Sequence, residues 1–146
     1  MSNPKKIFIN LPVGDLARSV AFYESMGATQ NPQFSDPGGA GMVLSETIHV
    51  MLLTHEKYLQ FSPRPIPDAH GSAQVLLCYT TDSRDAVDET MARIAASGGV
   101  IDPTPADDYS FMYGRSFEDP DGHLWQVMWF DEDAHKAAAT AESVEA

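Results

Sequence analysis

Cysteine is nearly absent from this chain: Cys78 is the only one in 146 residues. A single thiol excludes an intramolecular disulfide and any cysteine-based zinc cluster. Its neighbours Leu76, Leu77 and Tyr79 predict a small buried residue rather than a nucleophile. Basic residues are also scarce, 9 Lys and Arg against 21 Asp and Glu, for a formal net charge of −12. That field repels phosphate backbones and anionic lipid, which argues against nucleic acid and membranes as partners. It would attract a cationic ligand, although an acidic surface also serves solubility alone. No apolar run approaches the ~18 residues of a membrane span, and Lys5-Lys6 is followed by no apolar segment of the secretory type. Together these absences predict a soluble, cytoplasmic chain. No serine stands in a Gly-x-Ser-x-Gly elbow, no glycine-rich phosphate loop is present, and the histidines form no His-x-Glu or His-x-x-x-His arrangement.

What is present is a core and an internal repeat. At 43% hydrophobic residues the chain can fold as one domain. Ile7 to Val13 alternates as a strand, with Ile7, Ile9, Leu11 and Val13 on one face and Phe8 and Asn10 on the other. Asp15 is placed to cap a helix whose Leu16, Val20 and Tyr23 recur at helical spacing before Gly27 stops it. Strands are predicted at 29–34, 41–45 and 48–54. The second half repeats the order: a strand at 74–80, a cap at Asp82 or Ser83, a helix carrying Val87, Met91 and Ile94, and a stop at Gly98-Gly99. A short strand from Val100 follows, then a hairpin of 111–118 and 123–130 around Asp119-Pro120-Asp121-Gly122. Caps and stop glycines recur at about half the chain length, too long for a solenoid, which indicates a duplication. The expected organisation is a single domain over 1–130, built from module one (7–54), a proline-bearing linker (55–72) and module two (73–130). An acidic, alanine-rich tail (131–146) follows.

Two segments carry a resemblance. Leu11-Pro12-Val13-Gly14-Asp15-Leu16-Ala17-Arg18-Ser19-Val20-Ala21-Phe22-Tyr23, ending at Gly27, is similar to the opening of a vicinal oxygen chelate domain. Phe117-Glu118-Asp119-Pro120-Asp121-Gly122-His123-Leu124-Trp125 is similar to that family's closing hairpin. Over about residues 7–130 the chain thus resembles the superfamily of glyoxalase I, extradiol dioxygenases, fosfomycin-modifying enzymes and bleomycin-binding proteins. The resemblance implies an α+β fold of two βαβββ modules forming one curled mixed sheet around a cavity, with helices on the outer face. It also implies a homodimer.

Metal-using relatives bind a divalent ion through His and Glu at the centre of the four long strands. Carried over position by position, those ligands fall on Phe8, Leu52, Leu76 and Gln126. Phe and Leu have no donor atom and Gln offers only a neutral carbonyl, so no metal and no other cofactor is expected. The cavity lining implied is Phe8, Asn10, Leu52, Leu76, Gln126 and Met128, with Phe111, Tyr113 and Arg115 as additions if their strand face is inward. Facing inward, Arg115 would bind an anionic group; facing out, it would form a salt bridge. Gln126 is expected opposite Asn10. The carboxylate pairs Asp107-Asp108 and Glu118-Asp119 read as solvated turn residues. The leading functional expectation is a glyoxalase-like protein that has lost the metal positions and binds a small organic molecule. Its alternatives are a divalent-metal-dependent lyase or isomerase of glyoxalase type and an antibiotic-binding resistance protein of bleomycin-resistance type.

Overall fold

A computed structural model describes residues 3–137. Within them the chain is α+β and follows the duplicated order. Module one runs β1 (Ile7–Val13), α1 (Leu16–Ser25), β2 (Thr29–Asp36), β3 (Gly39–Val43) and β4 (Ile48–Thr54). A short helix α2 (His55–Phe61) opens the linker. Module two runs β5 (Leu77–Thr80), α3 (Arg84–Ala96), β6 (Val100–Ile101), β7 (Asp107–Tyr109), β8 (Met112–Glu118) and β9 (Leu124–Phe130). A helical turn occupies 132–137; the rest of the acidic tail lies outside the described residues.

The helix boundaries follow from local chemistry. Asp15 accepts from the Arg18 N–H at 3.0 Å and Ser83, not Asp82, accepts from the Ala86 N–H at 3.0 Å. Each satisfies one free amide of its first turn. Gly27 at φ +101° and Gly98 at φ +88° end the helices in the left-handed region that glycine enters without strain.

The strands divide into two sheets instead of one. Module one has the order β1-β4-β3-β2, and module two has β5-β9-β8-β6 with β7 also paired to β8. In each module the first strand runs parallel to the last and leaves its other edge unpaired. The stretch 74–76, predicted as the start of a strand, is extended chain ahead of β5.

The core lies between the sheets and the two helices. Val13, Phe22, Tyr23, Val50 and Leu52 from module one meet Val87, Ile94, Phe117, Trp125 and Val127 from module two. Each large apolar side chain so buried contributes roughly 1.5–3 kcal/mol. Across the module junction the Arg93 Nε–H of α3 donates to the Ser25 carbonyl at the end of α1 at 2.9 Å. Gly99 is needed at this junction, since a Cβ there would stand 2.6 Å from Ile94 and 2.7 Å from Phe22.

Among the described residues one buried side-chain polar atom has no partner: the Tyr79 hydroxyl, on β5 edge-on to Trp125. Burial holds that phenol well above its ordinary pKa. Removing an unsatisfied hydroxyl while keeping the ring should cost nothing. Tyr79→Phe is therefore expected to leave stability unchanged or raise it by about 1 kcal/mol in urea unfolding; a loss above that would mean the hydroxyl has a partner.

Candidate functional site

Residues paired across a ladder project to the same face of the sheet. In module one β1 and β4 pair Phe8 with His49, Asn10 with Met51 and Pro12 with Leu53, so these six share the face away from α1. Leu52 pairs with Leu11 and is fully buried in the core, on the helix face. The cavity position expected for Leu52 is thus wrong, and His49 and Met51 hold the face assigned to it. The reason is that β4 is apolar on both sides: Val50 and Leu52 fill the core while His49 and Leu53 are covered from the opposite face. Burial alone gives no parity in such a strand. His49 lies under Phe8, ring centroids 4.6 Å apart, and its Nε2 is 3.3 Å from the Glu46 carbonyl.

In module two Cys78 pairs with Gln126 and Thr80 with Met128, on the face away from α3. Gln126 and Met128 therefore keep the inward parity expected of them. Leu76 precedes β5 and is 76% exposed, outside any ladder. Tyr113 and Arg115 do not line this face. They share the opposite one with Phe117, because Phe117 pairs with Trp125 and Arg115 with Val127. Arg115 donates to both Asp102 oxygens at 3.1 and 2.7 Å and to Asp88 at 3.0 Å; the Tyr113 hydroxyl donates to Asp88 at 2.7 Å. The hydrogen bond from Tyr113 lowers the Asp88 pKa, and the bonds that Arg115 donates to Asp102 hold its guanidinium firmly charged. These bonds tie Arg115 of β8 to Asp88 of α3 and leave the Arg115 guanidinium engaged by carboxylates. Phe111 lies between Tyr109 and Phe130 beside the 132–137 turn, with His135 at 4.8 Å.

The inward face of module two carries a polar group that sequence reasoning missed. Asp107 pairs with Gly114 and is half-buried, not a solvated turn residue. The Gln126 Nε2–H donates to Asp107 Oδ2 at 2.8 Å. Gly114 makes that contact possible: a Cβ on it would stand 2.6 Å from Gln126 Nε2, so only glycine lets the amide lie across β8. Gln126 therefore pairs with Asp107 and not with Asn10, whose Nδ2 donates to the Phe8 carbonyl at 3.2 Å. Cys78, expected buried, is exposed. Desolvation, with Asp107 after it, pushes its thiol up, so it stays protonated near neutral pH. A three-residue strand offered no periodicity from which to find Asp107.

A cleft of about 620 Å³ lies between the unpaired edges of β1 and β5, roofed by the linker. Ile9, Leu11, Tyr58, Leu77 and Leu124 give it apolar walls, and Asn10, Gln74 and His123 supply polar groups. Leu124, which lines the cleft, stands two residues before Gln126 on the same face of β9; Gln126 and Asp107 themselves lie outside the cleft lining. A smaller pocket of about 320 Å³ adjoins it, lined by His55, His70, His123, Asp68 and Asp121.

The two motif segments meet beside these pockets, and their work there is structural. Asp119 is 2% exposed and accepts the Tyr23 hydroxyl at 2.6 Å and the Asp121 and His123 N–H groups at 3.0 and 2.8 Å. Trp125 Nε1–H donates to Tyr23 at 3.1 Å. Asp121 accepts from the Gly14 N–H at 2.8 Å, and His123 Nε2 is 2.9 Å from the Pro12 carbonyl. The opening helix and the closing hairpin are thus each other's hydrogen-bond partners and join the modules.

The donor chemistry at the positions implied for a metal can be tested directly. Phe8 and Leu76 carry no donor; on β4 the inward residues are His49, stacked under Phe8, and Met51; the Gln126 amide is engaged by Asp107. Among the described residues no three His, Cys, Asp or Glu side chains come together as metal ligands would. Among them, too, no helix is long and apolar enough to cross a membrane. These residues do not fit the familial divalent centre.

Known proteins supply the wider context. Solved structures share this architecture. A hypothetical protein, SA1046 from S. aureus, superposes with a TM-score of 0.72 at 21% identity, covering 88% of this chain and 95% of that one. A glyoxalase/bleomycin resistance protein/dioxygenase family enzyme from Burkholderia phytofirmans PsJN gives 0.69 at 21% identity, over 84% and 96%. The fosfomycin resistance protein FosX from Mesorhizobium loti gives 0.65 at 13% identity, over 92% and 98%. No curated protein sequence matches the chain. The family profile of the Glyoxalase/Bleomycin resistance protein/Dioxygenase superfamily matches residues 7–127. With that match spanning most of its length, and with both motif segments joined as one inter-module lock, the chain belongs to the Glyoxalase/Bleomycin resistance protein/Dioxygenase superfamily.

Proposed function

We propose that this chain binds a small organic molecule and does so without the divalent metal of its metal-using relatives. The observation that carries this reading is the cleft of about 620 Å³, with apolar walls and a few amides, between the unpaired edges of β1 and β5. That combination of apolar walls and a few placed polar groups is what small-molecule sites have in common. The donor-poor set Phe8, Leu76 and Gln126 supports the metal-free half of the proposal. A lyase or isomerase of glyoxalase type would need an ion to polarise adjacent substrate oxygens, and these residues offer it no cage. An antibiotic-binding role shares the metal-free cavity and differs only in the charge of the ligand.

The same reading includes a homodimer in the cytoplasm. Phe8 is 43% exposed and Phe34 50%, edge-on to each other at 6.2 Å beside the inward face. Apolar exposure grouped this way favours a covered surface, and an exposed unpaired Cys78 suits a reducing compartment.

The test is elemental analysis of the purified protein joined to a thermal-shift screen of small metabolites with and without chelator. The expected result is no stoichiometric metal and a midpoint raised by an organic ligand irrespective of chelator, by several degrees at a hundredfold excess over Kd. About one equivalent of Ni²⁺, Zn²⁺, Mn²⁺ or Fe²⁺, stripped by chelator with loss of the ligand response, would overturn it. Sedimentation at micromolar concentration giving only a 15.9 kDa species would overturn the dimer.

A further inference from the structure

We infer that the ligand carries a protonated amine, and that the half-buried Asp107 carboxylate on the inward face of module two is its anchor. This rests on the small-molecule reading above and names the ligand class it would take. Three observations carry it. Asp107 receives a hydrogen bond from the Gln126 amide at 2.8 Å, which fixes Oδ2 and leaves Oδ1 with no protein donor among the described residues. It takes part in none of the ion pairs among those residues, and the arginines of module two are spent elsewhere. Arg115 is bound to Asp88 and Asp102, Arg84 to Asp108 and the Tyr109 carbonyl, and Arg93 to the Ser25 carbonyl. The arrangement is built, because Gly114 clears the path by which Gln126 reaches across β8.

The surroundings select the rest of the ligand. A carboxylate set among Gln126, Met128 and a protonated Cys78 is a site where an ammonium finds charge-assisted hydrogen bonds. An anion would be repelled there, and the net charge of −12 adds to the preference. Leu124, two residues from Gln126 on the same face of β9, is a wall of the apolar cleft, so a ligand with its amine at Asp107 would run its apolar body along β9 toward that wall. Gln126 has a second role in this arrangement. Its carbonyl oxygen has no donor among the described residues and can accept a further N–H from the same amine.

The experiment compares two probes of matched shape, phenethylamine and 2-phenylethanol, titrated at pH 7 into uniformly ¹⁵N-labelled protein. The expected result is at least tenfold tighter binding of the amine, with shifts at the Gln126 side-chain amide and at the Ser116 and Thr80 amides, weakening as sodium chloride is raised. In Asp107→Asn, which keeps the size of the side chain and an oxygen for Gln126, the preference for the amine should vanish. A preserved amide spectrum away from β7 certifies the fold of the variant. Equal binding of the two probes overturns the inference, as does an amine preference that survives in D107N. Absence of shifts on this face with either probe overturns it as well. The metabolite screen decides the small-molecule reading separately, so a neutral or anionic hit there would leave that reading standing while this one falls.

Discussion

Asp119→Ala is expected to lower the stability of the chain by about 3–4 kcal/mol, which for a chain of this size moves the thermal midpoint by roughly 10 °C. The carboxylate is 2% exposed and is the common acceptor of the Tyr23 hydroxyl and of two hairpin N–H groups. Removing it strands the Tyr23 hydroxyl between Trp125 and the helix, a cost above that of the lost bond itself. It also opens the hairpin that carries Asp121, the partner of Gly14 and Ser19 in module one. Urea unfolding of the variant beside Tyr23→Phe would check the argument, since both remove the same buried bond and their effects should not add. An Asp119→Ala loss below about 1 kcal/mol would contradict the lock.

The same residue makes a statement about pH. Burial, the largest influence, raises the folded-state pKa of Asp119 above its ordinary value, against the lowering effects of His123 and Tyr23. Folding therefore favours the protonated carboxyl. That contribution is fully present below the unfolded carboxylate value of about 4 and is lost as pH rises through the elevated folded value. Asp119→Asn cannot titrate. The stability lead of the natural chain over D119N is accordingly expected to grow as pH falls from 7 toward 4, measured as the difference between two urea midpoints so that the general acid response cancels.

Gly122→Ala is the second large effect, at about 2–3 kcal/mol. Gly122 sits at φ +90°, a conformation costing an L-residue roughly 1–2 kcal/mol. Its added Cβ would also meet His70 Nδ1 at 2.8 Å, His70 N at 2.9 Å and Ala69 C at 3.0 Å. Two of these are backbone atoms of the linker and cannot rotate away, so the linker must lift from the hairpin. The cleft would lose the wall formed by Ala69 and Ser72. Chymotrypsin should then cut after Phe61, already 70% exposed at the end of α2, faster than in the natural chain. Gly71→Ala is the control, because its nearest obstacle is an Asp68 side-chain oxygen at 3.6 Å and its φ is ordinary. Equal proteolysis of the two variants would remove Gly122 from its role as the linker's seat.

The elements that were legible in the sequence are those whose cause is local. Asp15 and Ser83 cap α1 and α3 through bonds to a residue three positions on, and Gly27 and Gly98 end them through their own φ. The closing hairpin was legible too, and it contained an unused clue. A turn that pairs Glu118 with Leu124 necessarily pairs Phe117 with Trp125, and so sends Arg115 and Tyr113 to the helix face with them. The inward parity of Gln126 and Met128 followed from the same strand, because β9 alternates cleanly between buried Trp125 and Val127 and their half-buried neighbours.

By itself, then, the sequence determined the duplicated α+β order and the family resemblance, since capping, periodicity and motif chemistry act over a few neighbouring positions. Only the tertiary structure decided which face of β4 meets the core, because that strand is apolar on both sides and its parity comes from pairing with β1, some forty residues away. It decided likewise that the strands form two sheets with unpaired edges flanking a cleft. The bonds of Asp119 to Tyr23 and of Asp107 to Gln126 join segments 96 and 19 residues apart. Each depends on a register and a burial that no local window contains.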